Sequence, residues 1–213
     1  MLGSLYDKTH IRESLASKAS AADEDMLWLA GAPPHVIDRV RATLPERQIP
    51  AAVLVPLVER HAGLTVLLTQ RAATLKDHAG QISFPGGRIE PDDADPWYAA
   101  LREAREEIGL TADFVEFAGY LPDHWVGTGF RVTPVVGFVN PGYALSIAAA
   151  EVHDVFEVPL EFIFDAANHV VRSRDFGGIT LNVYDIPYAG RNIWGATAGM
   201  LLTLRRLLSE RHA

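Results

Sequence analysis

The stretch that decides the fold is Phe84-Pro-Gly-Gly87, followed after a short acidic segment by Asp95-Pro-Trp-Tyr-Ala-Ala-Leu-Arg-Glu-Ala-Arg-Glu-Glu-Ile-Gly109. Asp95 is a favourable N-cap, and Pro96 fits the first position of a helix. Gly109 fits the left-handed conformation at which helices commonly stop. The stretch therefore predicts a helix over Pro96–Ile108.

The predicted helix has two different faces. One is an apolar stripe that we expect to pack on a sheet, formed by Trp97, Leu101, Ala104 and Ile108. The other carries three glutamates spaced i, i+3, i+4, a spacing that brings carboxylates together. These glutamates are Glu103, Glu106 and Glu107. Arg102 precedes Glu106 by four residues and can brace its carboxylate.

The glutamate triplet indicates either a solvated acidic face or a cation site. Like charges at i, i+4 repel by about 0.2–0.5 kcal/mol. Glu106 and Glu107 also lie in the last helical turn, where the helix dipole disfavours each anion by about 0.3–1 kcal/mol. A divalent cation would offset these penalties. Oxygen ligands without cysteine favour a hard ion, Mg²⁺ or Mn²⁺.

The segment Gly87–Leu110 resembles the Nudix box, the loop–helix–loop signature of hydrolases that cleave nucleoside diphosphates linked to another group. The usual pattern is G-x5-E-x7-R-E-U-x-E-E-x-G-U, where U is a bulky aliphatic residue. Its Arg-Glu-x-x-Glu-Glu-x-Gly core is intact here. The stretch from Gly87 to Arg102 is one residue longer than usual, Asp93 replaces the upstream glutamate, and Ala104 replaces the aliphatic residue. In the family this upstream acid is mainly structural.

A second stretch is similar to the extra signature of the coenzyme A pyrophosphatases within Nudix, L-L-T-x-R-S-x3-R-x3-G-x3-F-P-G-G. Leu67-Leu-Thr-Gln-Arg71, Gly80 and Phe84–Gly87 match it at every spacing. Ala72 stands where the pattern has serine, and Lys76 where it has arginine. The resemblance covers about residues 50–205.

The resemblance implies a set of site residues. Glu103, Glu106, Glu107 and the backbone carbonyl of Gly86 would hold the metal, although Pro-Gly-Gly can also be only a tight turn. Arg102 would support the catalytic carboxylates. An acid in the downstream loop of these enzymes completes the metal site or accepts the proton of water, and Glu151 is the candidate, with Glu103 as the other base. The substrate phosphates would be held by Arg71, Lys76 and His78, which could otherwise be surface charges.

The function that this resemblance implies is hydrolysis of the pyrophosphate bond of coenzyme A or its thioesters, giving 3′,5′-ADP and 4′-phosphopantetheine or its acyl form. Two alternatives stay open. The chain could act on another nucleoside diphosphate derivative such as ADP-ribose, or it could be a non-catalytic Nudix-fold module that binds a nucleotide-like ligand. Such modules usually lack a helix carboxylate, and none is missing here.

Short apolar strands interleaved with helices predict an α/β chain, and the resemblance implies a Nudix-type α/β/α sandwich with a mixed central sheet. We expect residues 1–47 to form an N-terminal helical extension, with helices at His10–Ala19 and Val36–Leu44, and residues 48–213 to form the hydrolase domain. Strands are predicted at Ala51–Val58, Leu64–Thr69, Gln81–Phe84, Phe114–Leu121, Arg131–Val139, His169–Arg174 and Ile179–Ile186. Further helices are predicted at Pro159–Ala166 and Asn192–Ser209.

Composition limits the partners. Nineteen Lys and Arg against 27 Asp and Glu give a formal charge of −8, which disfavours nucleic acid as a partner. The absence of cysteine excludes a thiol nucleophile and a disulfide scaffold. No apolar run approaches the roughly 20 residues of a membrane span, so we expect a cytoplasmic protein with no membrane partner. The resemblance implies a small-molecule, nucleotide-type substrate. Packing, including a homodimer contact, is the expected role of Trp125, Trp194 and the stripe of Leu201, Leu204 and Leu208.

Overall fold

The computed structural model of the chain describes residues 6–16, 34–42, 45–127, 129–176 and 178–209. Its helices are α1 (Lys8–Ala16), α2 (Pro34–Ala42), α3 (Pro96–Ile108), α4 (Leu160–Phe164) and α5 (Gly195–Ser209). Its strands are β1 (Ile49–Arg60), β2 (Gly63–Arg71), β3 (Ile82–Ser83), β4 (Gly86–Arg88), β5 (Val115–Tyr120), β6 (His124–Val126), β7 (Phe130–Val139), β8 (Val152–Pro159), β9 (Val170–Phe176), β10 (Ile179–Tyr188) and β11 (Arg191–Trp194). Short 3₁₀ turns lie at Ala112–Phe114 and Ala166–Asn168.

The main sheet is mixed, as predicted. Strand β1 lies at its centre and pairs in parallel with β7, from Ile49 opposite Phe130 to Val58 opposite Val139. On its other side β1 pairs antiparallel with β2 and with the short β4. Strand β2 also pairs with β8 along residues 65–71 and with the short β3 near its end. Strands β5 and β6 both pair with β7. Apolar β-branched residues favour these strands, because β1 and β7 are covered on both faces.

Helices cover both faces of this sheet, which confirms the α/β/α sandwich. Helix α3 packs on one face against Ala52, Leu54 and Val58 of β1. Helices α1, α4 and α5 cover the opposite face. Side chains of α5 fill this second core layer and are nearly fully buried, namely Leu201, Leu204 and Leu208. Their burial confirms the packing role predicted for this stripe, and it leaves the three leucines no exposed surface for a subunit contact.

The two N-terminal helices pack on different sheets. Helix α1 buries Ile11 and Leu15 in the main core. Helix α2 packs through Val40 on Leu181 and Val183 of β10, the middle strand of the smaller sheet formed by β9, β10 and β11. Both helices lie where the sequence predicts helices, and residues 17–19 and 43–44 of those predictions fall outside the described residues.

Several elements differ from the sequence prediction, among them the short strands β4 and β6, which were not predicted. Residues 152–159 form strand β8, which the sequence analysis did not predict, because they pair with β2 along most of its length. The predicted helix Asn192–Ser209 begins instead at Gly195, since residues 191–194 pair with β10. Gly195 adopts a left-handed φ of 61°, which separates the strand from the helix. In the part of the chain that the structure describes, every helix is too short or too polar to cross a membrane.

Candidate active site

Helix α3 carries the acidic residues and has the predicted ends. The Asp95 carboxylate accepts a hydrogen bond from the Tyr98 amide at 3.1 Å, which caps the first turn. Gly109 adopts φ 73°, and its amide donates back to the carbonyls of the last turn. The helix is thereby fixed at both ends, with its glutamates next to β4.

Glu107 is buried on the packing side of α3, with 5% of its surface exposed. Sequence analysis placed it on a face apart from the apolar stripe. It follows Ala100 and Ala104 by seven and three residues, so its side chain enters between α3 and the sheet. The amide of Gly86 donates to its carboxylate at 3.3 Å. Burial first, and the charge of Glu103 second, raise the pKa of Glu107 to about 8.

Glu103 lies next to the glycine pair that precedes the helix. A Cβ built on Gly87 would fall 2.5 Å from Glu103 Oε1, so the carboxylate packs directly on the bare backbone. Burial raises the pKa of Glu103, and hydrogen bonding to Arg102 opposes that rise. The Pro-Gly-Gly segment therefore does more than turn the chain, because it admits two carboxylates to the end of β4.

Arg102 organises the loop before the helix. Its guanidinium donates twice to Asp93, from Nε at 3.1 Å and from Nη2 at 2.9 Å. It also donates to the carbonyl of Arg88 at 3.0 Å and to Glu103 at 2.8 Å. The predicted contact with Glu106 is present but longer, at 3.4 Å. The two hydrogen bonds from Arg102 lower the pKa of Asp93. They also tie the loop that carries Asp93 to the helix, which is the structural role that the family resemblance implies for the upstream acid.

The three glutamates are not gathered into one ready metal site. Glu106 has 52% of its side chain exposed and contacts Arg102, whereas Glu107 turns toward Gly86. Among the described residues, no three side chains of His, Cys, Asp or Glu are grouped as metal ligands. The donor chemistry nevertheless fits a hard cation, because carboxylate oxygens are the ligands that such ions prefer. The charge of the partly buried Glu103 also raises the pKa of the buried Glu107, and a bound cation would relieve this repulsion.

Glu151 and Arg71 lie beside the acidic centre formed by Glu103 and Glu107, Glu151 just before β8 and Arg71 at the end of β2. The carbonyl of Glu151 accepts a hydrogen bond from the Ala72 amide at 2.8 Å, which fixes the start of β8 beside the end of β2. The charge of Glu151 acts on both Glu103 and Glu107, raising the pKa of each. The positive charge of Arg71 acts in the opposite direction and lowers the pKa of Glu107. The structure thus brings together four of the residues that the sequence analysis singled out.

Lys76 and His78 lie in the exposed loop between β2 and β3. His78 adopts a left-handed φ of 58°, and its Nδ1 is 2.9 Å from Oε1 of Gln81. Among the described residues, neither side chain forms a hydrogen bond or an ion pair with the glutamates of the site. Their predicted role in phosphate binding stays a prediction.

The chain is similar to known proteins over most of its length. A family model described as the NUDIX domain matches residues 48–176. The chain belongs to the Nudix family. An uncharacterized Nudix hydrolase NudL from Citrobacter koseri is 42% identical over 166 residues, covering 76% of this chain and 83% of that protein. NudL from Escherichia coli strain K12 / DH10B is 41% identical over 169 residues, covering 77% and 84%.

Solved Nudix structures share the fold. The MutT protein from Methanosarcina mazei Go1 superposes with a TM-score of 0.52 at 20% identity, covering 79% of this chain and 99% of its own. The family assignment confirms the class of hydrolase that the box predicts. It agrees with the position of the box on α3 and its preceding loop, inside the matched residues.

Proposed function

We propose that this Nudix enzyme is a metal-dependent hydrolase of the pyrophosphate bond of coenzyme A or acyl-coenzyme A. The observation that carries the proposal is the position of Arg71. This arginine belongs to the coenzyme A signature by spacing, and its charge acts on Glu107 in the acidic centre. A cation beside the catalytic carboxylates can hold the diphosphate of a substrate in a bidentate fork.

The metal would be Mg²⁺ or Mn²⁺, held by Glu103, Glu106, Glu107 and the carbonyl of Gly86. When bound, such an ion neutralises a diphosphate and orients water for in-line attack on phosphorus. Glu106 is exposed and free to turn, and its present partner Arg102 is 3.4 Å away. The buried Glu107 and Glu103 need little rearrangement, because their neighbours already hold them at the end of β4.

A proton must leave the attacking water, and Glu151 is suited to accept it. It is exposed, unlike Glu107, and its charge acts on both buried glutamates. Glu103 is the other candidate, but its carboxylate already accepts from Arg102 at 2.8 Å. We therefore assign the general base to Glu151, with Arg102 as the residue that positions Glu103.

The proposal is tested by identifying products. Purified protein with Mg²⁺ or Mn²⁺ is incubated with coenzyme A, and the products are separated and identified by mass spectrometry. We expect 3′,5′-ADP and 4′-phosphopantetheine from the wild type and neither from Glu107→Gln. Intact coenzyme A after incubation with folded, metal-loaded wild type would overturn the proposal.

Substitution of Arg71 provides a second test of the proposal. Its removal should lower kcat/KM for coenzyme A by roughly 10-fold to 150-fold, since a hydrogen bond to a charged group contributes about 1.5–3 kcal/mol. If Arg71 holds the diphosphate, Arg71→Ala should lower kcat/KM for dephospho-coenzyme A by the same factor as for coenzyme A. A variant with wild-type kcat/KM on both substrates would remove Arg71 from the site.

A further inference from the structure

The connection between β7 and β8, residues 140–151, ends at Glu151, the proposed general base. This segment contains turns but neither helix nor strand, and most of its side chains are exposed. Exposed connections of this kind are usually more mobile than the elements they join. A base on a mobile segment would spend little time near the attacking water, so the contacts that hold this segment in place matter for the reaction.

Two backbone amides of the segment bind the end of helix α3. The Ser146 amide donates to the Ile108 carbonyl and the Ala148 amide to the Glu107 carbonyl, each at 2.9 Å. The last carbonyls of a helix have no partner within the helix, and the segment satisfies these two. The segment is thereby joined to Glu107, the residue whose carboxyl group lies buried in the acidic centre.

Gly109 permits this close approach. A Cβ built on Gly109 would fall 2.8 Å from the Ser146 nitrogen and 2.9 Å from the Ser146 Cβ. The left-handed end of α3 already favours glycine for the conformation of its own backbone. The packing of Ser146 gives a second reason for glycine here, because a side chain would push the segment away from the helix.

The backbone of Glu151 is held on both sides. Its amide donates to the Ala148 carbonyl at 2.9 Å, which closes a turn, and its carbonyl accepts from the Ala72 amide at 2.8 Å. The side chain of Glu151 is exposed, while the backbone that carries it is fixed. Ala148 is therefore bonded to both glutamates, through its amide to Glu107 and through its carbonyl to Glu151.

A second anchor lies near the start of the segment. The Tyr143 hydroxyl donates to Glu157 Oε1 at 3.0 Å and accepts from Arg60 Nη2 at 3.1 Å. The Tyr143 ring also meets Phe114 edge to face, with ring centres 6.4 Å apart. Because Glu157 belongs to β8 and Arg60 to β1, the hydroxyl ties the segment to the main sheet. The segment is thus fixed near both ends.

We propose that Ala148 is a positioning residue for the hydrolysis, whose two backbone hydrogen bonds hold Glu151 in place relative to Glu107. This inference rests on the proposed role of Glu151 as general base. A base must come within about 2.6–3.2 Å of the group that it deprotonates, so release of the segment from α3 slows proton transfer. Because the backbone of Ala148 acts and its side chain does not, no sequence motif reveals the role.

Ala148→Pro removes the amide hydrogen that binds the Glu107 carbonyl. Ala149→Pro is the matched control, because the Ala149 amide donates to no group in the described structure. Ala149 is also the second residue of the turn that Glu151 closes, a position that favours proline. Ala148→Pro should lower kcat by about 10-fold to 100-fold, since displacements near 1 Å cost about 100-fold. Its KM should stay within about twofold of wild type, as should both constants of Ala149→Pro.

A double substitution separates positioning from a general structural effect. Two changes that act through the same group are not additive. Ala148→Pro should therefore change kcat by less than about twofold when Glu151→Gln is already present. Equal factors in the wild-type and Glu151→Gln backgrounds would overturn the positioning role. No effect of Glu151→Gln on kcat would instead overturn the base assignment, and the positioning role with it.

The substrate assignment is kept apart from this test. All variants are assayed on coenzyme A and on ADP-ribose, because the proton leaves the same attacking water in either hydrolysis. The pattern on ADP-ribose alone would support the positioning role and overturn only the coenzyme A assignment. Thermal unfolding is measured on every variant. If Ala148→Pro is unfolded, Tyr143→Phe decides, with an expected loss in kcat of about threefold to tenfold that disappears in the Glu151→Gln background.

The attachment of the segment to α3 is measured without any substrate. In hydrogen exchange followed by nuclear magnetic resonance, the Ala148 amide of the wild type should exchange at least about tenfold more slowly than the Ala149 amide. Equal exchange of the two amides would overturn the inference, because the hydrogen bond to Glu107 would then not hold the segment.

Discussion

The carboxylate of Glu103 occupies the space that a side chain on Gly87 would need. A Cβ at Gly87 would approach Glu103 Oε1 to 2.5 Å, inside any real contact distance. The carboxylate cannot yield freely, because Arg102 holds it at 2.8 Å and only 16% of the side chain is exposed. The second glycine of Pro-Gly-Gly is therefore required by a neighbour that belongs to the acidic centre.

Gly87→Ala should move the Glu103 carboxylate and lower kcat/KM by at least tenfold, since displacements near 1 Å in an active site cost about 100-fold. The fold should persist, because the displaced group is a side-chain end. Gly127→Ala is the matched control, with open space around the added methyl group. Steady-state kinetics and thermal unfolding are measured on both. Equal activity of the two variants would show that the Glu103 position does not matter.

Burial of Glu107 has a measurable cost in the absence of metal. Its pKa of about 8 lies above the ordinary 4.5, so the folded state holds this proton more tightly than the unfolded state. The wild type should therefore lose stability as pH rises from about 4.5 through 8. Glu107→Gln keeps the shape without the charge and should be more stable than wild type by about 2–4 kcal/mol at pH 9 and by almost nothing at pH 4.

Urea unfolding of both proteins in EDTA at these two pH values measures the difference. Glu106→Gln is the control, because half of the Glu106 side chain is exposed. A constant difference between Glu107→Gln and wild type across the pH range would contradict the assigned burial.

The sequence could predict the helix of the acidic centre because its signals are local. The helix begins at the cap formed by Asp95 and Pro96 and ends at Gly109. Each signal acts within a single helical turn, and the structure confirms both ends. Burial of Glu107 is not local. It depends on β4 passing within hydrogen-bond distance of the last turn of α3, and a helical periodicity contains no information about that strand.

Glu151 is the group that we expect to accept the proton of water. Glu151→Gln should lower kcat by about 10²–10⁴-fold while leaving the binding of Mn²⁺, measured by calorimetry, within twofold of wild type. Loss of Mn²⁺ binding would make Glu151 a ligand instead. Unchanged kcat would remove it from the reaction.

His124 should make the protein sensitive to acid. Burial lowers the pKa of His124 to about 4, and neither ring nitrogen has a hydrogen-bond partner in the described structure. The unfolded chain takes up this proton near pH 6.5 and the folded chain only near 4, so stability falls as pH drops between those values. The loss from pH 7.5 to pH 5 should be about 2 kcal/mol.

His124→Leu removes this loss without leaving a polar group unpaired, and it should match or exceed wild-type stability at pH 7.5. The exposed His61→Gln should retain the wild-type pH dependence. Unfolding free energies at pH 7.5 and pH 5 give the comparison, and an equal decline in wild type and His124→Leu would assign the acid sensitivity elsewhere.

The position of strand β11 is a part of the fold that could not be predicted from the sequence. Trp194 was expected to serve packing, and the ring does stack with Arg174. The position of Trp194 follows from β11, a four-residue strand whose last three residues the sequence analysis included in a helix. The pairing of β11 with β10 spans a turn at Ala189 and Gly190, both with left-handed φ. Such a turn is difficult to predict where alanine occupies one of its positions.

Substrate preference tests the central claim most directly. The ratio of kcat/KM for coenzyme A to that for ADP-ribose is measured with the same preparation and the same Mg²⁺ concentration. We predict a ratio of at least 10, with 3′,5′-ADP and 4′-phosphopantetheine as the products of the favoured reaction. A ratio below 1 would contradict the coenzyme A assignment and leave a Nudix hydrolase of another substrate.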